Sequence, residues 1–516
     1  MKKERNPGFW RNWIIPTALG LLASSFLLAP QTKAVTYNAS VNTAKTYQTL
    51  EGFGAASAWL QSYLTEHPNK MELYDLLFNG LGLDIYRFRN QYRNTPNFDY
   101  QDTEIIRMAN ASLGHPIKTL ICSWSPPADL KVNGVLNGGT LIQENGTFVY
   151  DKFADYWYNS LQAFAAKGIY PDYISIQNEV DYQNTGWETC IFKPTEDGTY
   201  PSFGKALDAV YKKLQTLEKK PKILAPETAG IASSLVQSYL NNCNMDQVYG
   251  VAHHLYNGGD AYNPDNFITA MQGLAKAYPS KPLFQTEYDQ GTPFTTALLI
   301  HNSLVEEGVS AYFYWDLIWD KSQRPLIALE EPWNQSGWSN SKGYIISDFY
   351  YVFKQFSKYT DPGFVRVDAT AESSDIKISS FVSPDQNQLT TILINKGSSE
   401  ATVALNLNGY QVGSSEIYRT IPDGNEKFAA VGSLGSGNTV TLPAQSIATV
   451  VIYSPSYEPA PTPSPSGTPI PTGYSRDAFT KNQAEGFSSQ TGVRTELIDD
   501  LGNRCVGYIE NEDFLV

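Results

Sequence analysis

Cysteine, histidine and positive charge are all scarce in this sequence. Its 516 residues include 4 Cys and 5 His. The cysteines lie far apart and form no Cys-x-x-Cys pair, so the sequence indicates neither a disulfide framework nor a cysteine metal site. His253 and His254 are neighbours, and on a strand they would face opposite ways and could not bind one metal ion together. We therefore expect a functional site that needs no metal or other cofactor.

Acidic residues outnumber basic ones by 52 to 38, which gives a formal net charge of −14. This charge repels phosphates, so the composition argues against a nucleic-acid partner. Charged residues make up only 17% of the chain, whereas aromatic residues make up 13%, with 33 Tyr and 10 Trp. Aromatic faces suit stacking on neutral polar ligands such as sugars. A Tyr-rich extracellular protein without such a ligand would have the same composition.

Long apolar runs are also lacking, except near the N-terminus. Lys or Arg occupies positions 2, 3, 5 and 11, an apolar stretch runs from Trp13 to about Pro30, and Thr32-Lys33-Ala34 follows. This order is typical of a secretory signal peptide, so we assign residues 1–34 to it and expect cleavage near Ala34. An uncleaved anchor is the alternative. No later stretch is apolar and long enough to span a membrane, so we expect a secreted, extracellular protein.

Short apolar strands alternate with longer amphipathic segments over residues 49–361. About eight such repeats in roughly 300 residues predict a closed (β/α)8 barrel, an α/β TIM barrel, with a doubly wound open sheet as the alternative. No Gly-x-Gly-x-x-Gly motif follows an early strand, so a dinucleotide site is not supported. The predicted strands are Leu50–Gly54, Ile85–Arg89, Lys118–Ser123, Tyr173–Asn178, Lys222–Ala225, Gly250–His254, Pro282–Glu287 and Ala311–Trp315.

The helical pattern stops after about residue 361. Short alternating apolar runs separated by Gly, Asn and Ser predict an antiparallel side β-sandwich over residues 362–453. Segment 35–48 is strand-like and has no partner in the barrel, so we expect it to pair with this sandwich. Residues 454–473 are rich in Pro, Thr and Ser, which indicates a linker. We expect residues 474–516 to be the incomplete start of a further β module.

Two carboxyl groups stand at the ends of predicted barrel strands. Glu179 closes the fourth strand and Glu287 closes the seventh. The C-terminal strand ends of such a barrel meet at one mouth, so the two side chains can face each other across it. Carboxyl groups about 5–5.5 Å apart would predict a retaining glycoside hydrolase, whereas about 6.5–9.5 Å would predict inversion. An Asn-Glu pair in an ordinary surface turn is the simpler alternative for Asn178 and Glu179.

Further residues at the strand ends are suited to bind a sugar or to tune these carboxyl groups. Asn178 could hydrogen-bond a sugar hydroxyl, and Trp124 offers a flat platform for a sugar ring. Tyr256 could donate a hydrogen bond to Glu287, and Arg87 could hold Glu287 ionised by its charge. Each of these residues could equally have a structural place in the core or rim of a large barrel. The predicted substrate-binding residues are Trp59, Arg87, Trp124, Asn178, Tyr182, Tyr256, Tyr288 and Trp315.

Four motifs, in this order, resemble glycoside hydrolase family 30: Leu50-Glu51-Gly52-Phe53-Gly54, Ser123-Trp124-Ser125-Pro126-Pro127, Ile176-Gln177-Asn178-Glu179 and Thr286-Glu287-Tyr288. The resemblance runs from about Val35 to Tyr453. It implies retaining hydrolysis with Glu179 as acid/base and Glu287 as nucleophile. Ser341-Lys342-Gly343-Tyr344 is similar to the bacterial xylanase branch, a subfamily 8-like pattern, more than to the glucosylceramidase branch.

One departure from that branch bears on the substrate. Its glucuronoxylan-specific members carry an Arg just after the aromatic eighth strand, where it pairs with a glucuronate side group. Here no Arg appears before Arg324, and Asp316 and Asp320 make the stretch acidic. Acidic residues repel a uronate at short range. We therefore predict an endo-β-1,4-xylanase that does not require glucuronate.

Other functions remain open at this stage. Among enzymes they are a glucuronoxylan-specific endoxylanase, a xylobiose-releasing exo-xylanase and another family 30 β-glycanase such as a β-1,6-glucanase. Outside enzymes, a polysaccharide-binding wall protein could keep a barrel for adhesion. In the tail, Gly492-Val493-Arg494-Thr495-Glu496 resembles the opening of a family 6 carbohydrate-binding module, a type that binds polysaccharide and often calcium. We expect xylan as the partner and a monomeric protein.

Overall fold

The computed structural model of the protein describes residues 35–93, 101–422 and 424–457, and the backbone of four short strands between residues 490 and 515. The signal peptide predicted over 1–34 lies outside the described residues, as do most of the predicted linker (454–473) and most of the predicted module (474–516). By its internal contacts the chain divides into two units, Met1–Tyr457 and Glu458–Val516.

The regular elements follow one another in the order that the sequence pattern predicts, strands alternating with helices and then strands alone. The strands are β1 (Val35–Thr49), β2 (Gly52–Ser57), β3 (Ile85–Arg89), β4 (Lys118–Cys122), β5 (Gln143–Glu144), β6 (Thr147–Phe148), β7 (Tyr173–Ser175), β8 (Lys222–Gly230), β9 (Gly250–Asn257), β10 (Leu283–Glu287), β11 (Ala311–Tyr314), β12 (Ile318–Trp319), β13 (Ile327–Leu329), β14 (Tyr344–Ile346), β15 (Val365–Ala371), β16 (Ile376–Val382), β17 (Gln388–Asn395), β18 (Ala401–Asn408), β19 (Ser414–Thr420), β20 (Ala429–Gly432), β21 (Thr439–Leu442), β22 (Ser446–Tyr453), β23 (Gln490–Thr491), β24 (Arg494–Leu497), β25 (Arg504–Gly507) and β26 (Phe514–Leu515). The helices are α1 (Gln61–Thr65), α2 (Lys70–Tyr74), α3 (Gln101–Leu113), α4 (Tyr150–Ala165), α5 (Phe203–Leu214), α6 (Ser233–Leu240), α7 (Ile268–Ala277), α8 (Pro293–Asn302) and α9 (Asp348–Ser357).

Eight of these strands close into a barrel in the order β2-β3-β4-β7-β8-β9-β10-β11. Each neighbouring pair is parallel, including the closing pair of β11 with β2. This confirms the predicted (β/α)8 barrel with its side β-sandwich. Side chains such as Leu120, Leu224 and Phe284 fill the interior, so polar groups at the mouth stand on an apolar floor.

Helix α5 shows how the sequence builds the outer layer. The Ser202 side chain accepts a hydrogen bond from the backbone N–H of Lys205 and so caps the helix start. Phe203, Leu207 and Leu214 recur at helical spacing and are buried, whereas Lys212 lies in the last turn. The same period-3.6 pattern, applied around the barrel, turns one face of each helix onto the strands.

Strand β7 ends earlier than the sequence pattern predicts. It stops at Ser175, and the backbone N–H of Asn178 then donates to the carbonyl oxygen of Ser123 at 2.8 Å. Glu179 adopts a left-handed conformation with φ of 48°. The apolar run therefore continues past the strand into a turn that aims the next side chains at the barrel mouth.

The side domain is one nine-stranded sheet in the order β20-β19-β22-β17-β16-β15-β1-β18-β21. Strand β1 lies in it between two late strands, with Ala39 opposite Ala371 of β15 and Leu405 of β18. The β1–β18 pair is parallel, whereas every other pair in this sheet is antiparallel. Both ends of the first unit thus meet in this domain.

The last helix of the barrel is fixed to this sheet by a buried amide. The Gln355 side chain of α9 donates to Thr420 Oγ1 of β19 at 2.7 Å, and Thr449 Oγ1 of β22 donates to Gln355 Oε1 at 2.6 Å. Gln355 is completely buried, so these hydrogen bonds are shielded from water.

In the second unit, β24 pairs with β25 and β23 with β26, each antiparallel. Within the described residues, no helix is both long and apolar enough to cross a membrane.

The place of β1 between two strands leads to a stability prediction. Val41 is fully buried in β1, so Val41→Ala should lower the free energy of unfolding by about 2 kcal/mol through lost burial and a cavity. Thr36→Ala, in an exposed position of the same strand, is the matched control and should change it by less than about 0.5 kcal/mol. Chemical denaturation of both variants measures the difference, and equal effects would contradict the packing role of β1.

Candidate active site

A cleft of about 810 Å³ opens at the C-terminal ends of the barrel strands. Of the residues predicted as catalytic or substrate-binding, seven line it. They are Trp59, Trp124, Glu179, Tyr182, Tyr256, Glu287 and Trp315, and Trp187 and Trp319 line it as well. Six different barrel strands or the loops after them contribute these side chains, which is how a TIM barrel assembles its functional mouth.

Glu179 and Glu287 face each other across this cleft. Glu287 is the last residue of β10, and Glu179 follows β7. The side chains are nearly buried, with 9% and 6% of their surfaces exposed. One carboxylate oxygen of each, together with a ring nitrogen of His254, lie within 4.8 Å of one another. The two carboxyl groups are therefore close enough to act on one bond.

Arg87, on β3, links three polar groups beneath the cleft. Its Nη1 donates to Glu287 Oε2 at 2.7 Å, and its Nη2 donates to Asn178 Oδ1 at 2.6 Å and to Glu227 Oε1 at 3.1 Å. Arg87 and Glu227 are both fully buried. Burial raises the pKa of the Glu227 carboxyl, but Arg87 and His254 outweigh it and bring that pKa to about 2. Glu227 is therefore a fixed negative charge.

His254, on β9, lies among three carboxyl groups. Its Nδ1 donates to Glu179 Oε1 at 3.2 Å, and the same atom is 3.8 Å from Glu287 Oε1, while Nε2 is 3.7 Å from Glu227 Oε1. Burial alone would lower the pKa of the imidazole, but the three carboxylates outweigh it and raise the pKa to about 9. His254 is therefore a cation at neutral pH.

These groups form a nearly balanced set of charges. Arg87 and protonated His254 supply two positive charges, and Glu179, Glu227 and Glu287 are the facing carboxyl groups. The carboxyl groups therefore outnumber the cations by one. A retaining pair needs one carboxyl group that donates a proton and one that attacks as a carboxylate.

Glu287 has a hydrogen-bond donor on each of its oxygens. Arg87 donates to Oε2, and the Tyr256 hydroxyl donates to Oε1 at 3.0 Å. Burial raises the pKa of the Glu287 carboxyl, and His254 and Arg87 oppose that rise. The two donors also fix the rotation of the carboxylate, so that one orientation is presented to the cleft.

Aromatic side chains form one wall of the cleft. The Trp59 ring packs edge-to-face on Trp124, Trp315 and Trp319, with ring centres 5.5, 5.9 and 6.2 Å apart. The Arg87 guanidinium carbon lies 4.7 Å from the Trp124 ring centre, so the indole covers the buried cation. On the rim, Tyr182 stacks on Trp187 at 6.3 Å, and Trp187 is 46% exposed. This wall offers flat apolar faces beside the carboxyl pair.

Two more carboxyl groups lie close to Glu287. Asp289 lines the cleft, and burial, opposed by Arg324, raises its pKa to about 6. Asp316 is 1% exposed, and burial together with Asp289 and Glu287 raises its pKa well above the usual range. This part of the cleft is therefore polar and acidic, and it carries less negative charge than its count of carboxyl groups suggests.

Three predicted substrate-binding residues do not line the cleft. Asn178 and Arg87 lie under it and are 2% and 0% exposed. Tyr288 is 3% exposed and packs on Tyr256, with ring centres 5.3 Å apart, and on Phe267. Tyr288 directly follows the last residue of β10, and its ring packs into the protein whereas Glu287 faces the cleft. These three residues support the site from behind.

Some residues of the site were not assigned roles by the sequence. Glu227 and His254 stand at predicted strand ends, and that position is a sequence signal for the barrel mouth. The contact of Glu227 with Arg87 and the contact of His254 with Glu179 depend on the fold. Asn257, Asp289, Gln290 and Gln323 also line the cleft. Glu179, His254 and Glu287 are spaced so that they could hold a metal ion, and catalysis without a metal stays a prediction.

Comparison with known proteins supports glycoside hydrolase family 30. Residues 363–450 match the family model described as the glycosyl hydrolase family 30 beta sandwich domain. A curated relative, Glucuronoxylanase XynC of Bacillus subtilis, is 24% identical over 434 residues, covering 80% of this chain and 91% of that protein. Endo-1,6-beta-D-glucanase of Neurospora crassa is 23% identical, covering 72% of this chain and 84% of its own length.

A solved structure supports the fold. The family 30 subfamily 8 xylanase Xyn30A from Clostridium acetobutylicum matches with a TM-score of 0.64 at 24% identity. The match covers 81% of this chain and 100% of that one. At this identity the likeness establishes the barrel with its side sandwich, and the specific branch of the family stays a prediction.

The charged imidazole leads to a pH prediction. The pKa of His254 rises from about 6.5 when unfolded to about 9 when folded, so its contribution is full below about pH 6.5 and is lost as pH rises through about 9. The stability difference between the unaltered protein and His254→Gln should therefore shrink by about 3 kcal/mol from about pH 6 to about pH 10. Urea unfolding at both pH values measures it.

The control is His115→Gln, which alters an exposed histidine outside the site. Its stability difference from the unaltered protein should change little over the same pH range. A His254→Gln difference that stays constant from low to high pH would mean that the buried histidine is not held as a cation.

Proposed function

From the support for glycoside hydrolase family 30, we propose that this protein is a retaining glycosidase. More narrowly, we propose a secreted endo-β-1,4-xylanase that does not require glucuronate side groups. The observation that carries the proposal is the pair of carboxyl groups, Glu179 and Glu287, on opposite sides of one cleft with oxygens within 4.8 Å of each other. An approach this close supports double displacement, for which carboxyl groups about 5–5.5 Å apart are typical, over inversion, for which they are about 6.5–9.5 Å apart.

In the first step Glu287 attacks the anomeric carbon while Glu179 protonates the departing sugar oxygen. The C–O bond to the leaving chain breaks as the bond to the Glu287 carboxylate forms, giving a covalent glycosyl-enzyme. Arg87 and Tyr256 hold one oxygen of Glu287 each, which aligns the nucleophile before substrate arrives. In the second step Glu179 deprotonates a water, which releases the sugar with its original configuration.

The buried charges near the cleft support this division of roles. His254 donates to Glu179, so it fixes the position of the acid/base carboxyl group. Glu227 in turn contacts both Arg87 and His254, and so keeps the two cations in place. The fixed charges stand in an apolar surrounding, where electrostatic stabilisation of a developing oxocarbenium charge is stronger than in water.

The acidic wall of the cleft supports a neutral main chain as substrate. Asp289 and Asp316 lie beside Glu287, and the first Arg after the eighth strand, Arg324, is close enough to Asp289 to lower the pKa of that carboxyl. Arg324 is exposed and is not among the residues that line the cleft, which supports a substrate without a uronate group. Exposed Trp187 extends the aromatic lining to the rim, which suits a polymer that continues beyond the cleft.

The same proposal includes secretion through the signal peptide, catalysis without a cofactor, a monomeric state and a carbohydrate-binding module that takes calcium. They rest on the sequence patterns described above. The second unit contributes four short antiparallel strands to that picture.

The nucleophile assignment predicts the behaviour of Glu287→Ala. Hydrolysis should fall by at least about 10⁴-fold, because the variant cannot form the glycosyl-enzyme. Adding azide should restore part of the turnover and yield a glycosyl azide of inverted configuration, which NMR identifies. Glu400→Gln, at an exposed position of the side domain, is the matched control and should keep full activity. Undiminished hydrolysis by Glu287→Ala would overturn the assignment.

The substrate prediction concerns decorated and plain chains. The unaltered protein should cut unsubstituted xylan and glucuronoxylan at rates within about threefold, and release products of several lengths, because no Lys or Arg is among the described residues that line the cleft. Chromatography of digests of both xylans and of a β-1,6-glucan measures this. Cleavage of glucuronoxylan alone would instead indicate a glucuronoxylan-specific endoxylanase. Release of xylobiose alone would indicate an exo-xylanase, and cleavage of the glucan alone would indicate a β-1,6-glucanase. Sugar binding without any hydrolysis would overturn the enzyme proposal.

A further inference from the structure

We propose that the insertion after the eighth barrel strand carries a second sugar-binding subsite, centred on Trp333, for the neutral polysaccharide chain as it leaves the cleft. The inference rests on the proposed glycosidase function and adds a binding site outside the carboxyl-bearing cleft. The insertion is ordered by its own small sheet, in which β12 pairs with β13 and β13 with β14. A platform on this sheet has a fixed position relative to the barrel.

A second concavity of about 320 Å³ lies on this insertion. Its lining includes Tyr63, Asp320, Lys321, Asn334 and Trp338. Hydroxyl, carboxylate, amide and indole groups thus surround one space. This mixture of aromatic faces and hydrogen-bonding groups is the chemistry that recognises a sugar.

Two separate chain segments run from the cleft to this concavity. In the first, Trp59 and Leu60 line the cleft, and Tyr63 lines the concavity. In the second, Trp319 lines the cleft, and the adjacent Asp320 lines the concavity. Two short segments of the chain therefore connect the two spaces. A polymer bound in the cleft meets this surface as its next neighbour, so the occupant of the concavity is the continuing chain.

Trp333 is the aromatic platform at the edge of the concavity. Its ring packs on Tyr63 with centres 5.1 Å apart and planes at 86°, yet 58% of the residue is exposed. Because Trp333 contacts Tyr63 and adjoins Asn334, which both line the concavity, its open indole face is available there for stacking on a sugar ring. Trp338 is fixed in contrast, because it stacks on His67 at 5.3 Å and its Nε1 donates to the Glu331 carbonyl oxygen at 2.9 Å.

The charges around the concavity select a neutral ligand. Lys321 is the sole basic residue among the described residues that line it, and its Nζ lies 2.5 Å from Glu330 Oε1. The Glu330 carboxylate also accepts from the Ser339 backbone N–H at 2.9 Å, so both members of the ion pair are engaged. Asp320 and Glu331 add negative charge. A uronate would be repelled here, whereas hydroxyl groups of an uncharged sugar find acceptors.

The test compares long and short substrates with Trp333→Ala. On polymeric xylan, or on the polymer of the substrate panel that the unaltered protein cuts fastest, kcat/KM should fall roughly three- to tenfold, as expected for one lost aromatic contact. On the trimer of the same sugar, which we expect to bind within the cleft alone, kcat/KM should stay within about twofold. Trp333→Phe keeps a ring and should recover most of the loss.

The matched control is Tyr170→Ala. Tyr170 is an exposed aromatic residue just before β7, at the other end of the barrel, and is 47% exposed. Removing the Tyr170 ring should leave kcat/KM unchanged on both the trimer and the polymer. Affinity electrophoresis in gels with and without the soluble polymer gives a second readout, in which Trp333→Ala should lose retardation and Tyr170→Ala should not.

The outcomes separate this subsite from the proposed function. One outcome is that the unaltered protein cuts both substrates while Trp333→Ala has the same kcat/KM on the polymer and the same retardation in the gel. In that case the subsite proposal is wrong and the glycosidase proposal is unaffected. An equal loss on trimer and polymer would also overturn the subsite, since Trp333 would then act on the cleft itself. If the unaltered protein cuts no glycan, the proposed function fails first.

Discussion

The buried guanidinium of Arg87 is the interaction on which the rest of the site depends. One side chain from β3 contacts Asn178 after β7, Glu227 in β8 and Glu287 at the end of β10. A buried cation is tolerated only when its hydrogen bonds and charge are matched, and here several strand ends must be in place for that to happen. The closed barrel brings the carboxyl groups around Arg87, and their contacts with Arg87 in turn stabilise the barrel. Each arrangement therefore depends on the other.

The surroundings of this cation explain why the site is built in layers. Apolar side chains fill the barrel below it, and Trp124 covers it above at 4.7 Å. Water is kept from the charges that orient the reacting carboxyl groups, while Glu179 and Glu287 keep narrow access to the cleft. The low dielectric strengthens each contact between fixed charges, and it also makes the loss of a partner costly.

Much of this arrangement could be predicted from sequence, for physical reasons. Alternating strand and helix periods define the barrel, and a barrel brings its strand ends to one mouth, so Glu179 and Glu287 could be paired across a long sequence separation. The role of His254 could not be predicted, because its charge comes from three carboxyl groups contributed by other strands. Tyr288 was among the predicted substrate-binding residues, yet it follows the end of β10 and packs into the protein on Tyr256 and Phe267, which depends on tertiary packing. The two-residue strand β12 is too short to leave a periodic signal.

Strand β1 gives the chain an unusual order of assembly. It is the first described strand to leave the ribosome, and its neighbours β15 and β18 begin at Val365 and Ala401, after the whole barrel has been made. During synthesis β1 has two unpaired edges and an apolar face without a partner, which is the kind of segment that associates with the wrong chain. The barrel must therefore form with this strand held outside it, and the late strands close on it from both sides. The strand has both of its neighbours available only after Asn408, the last residue of β18, has been translated.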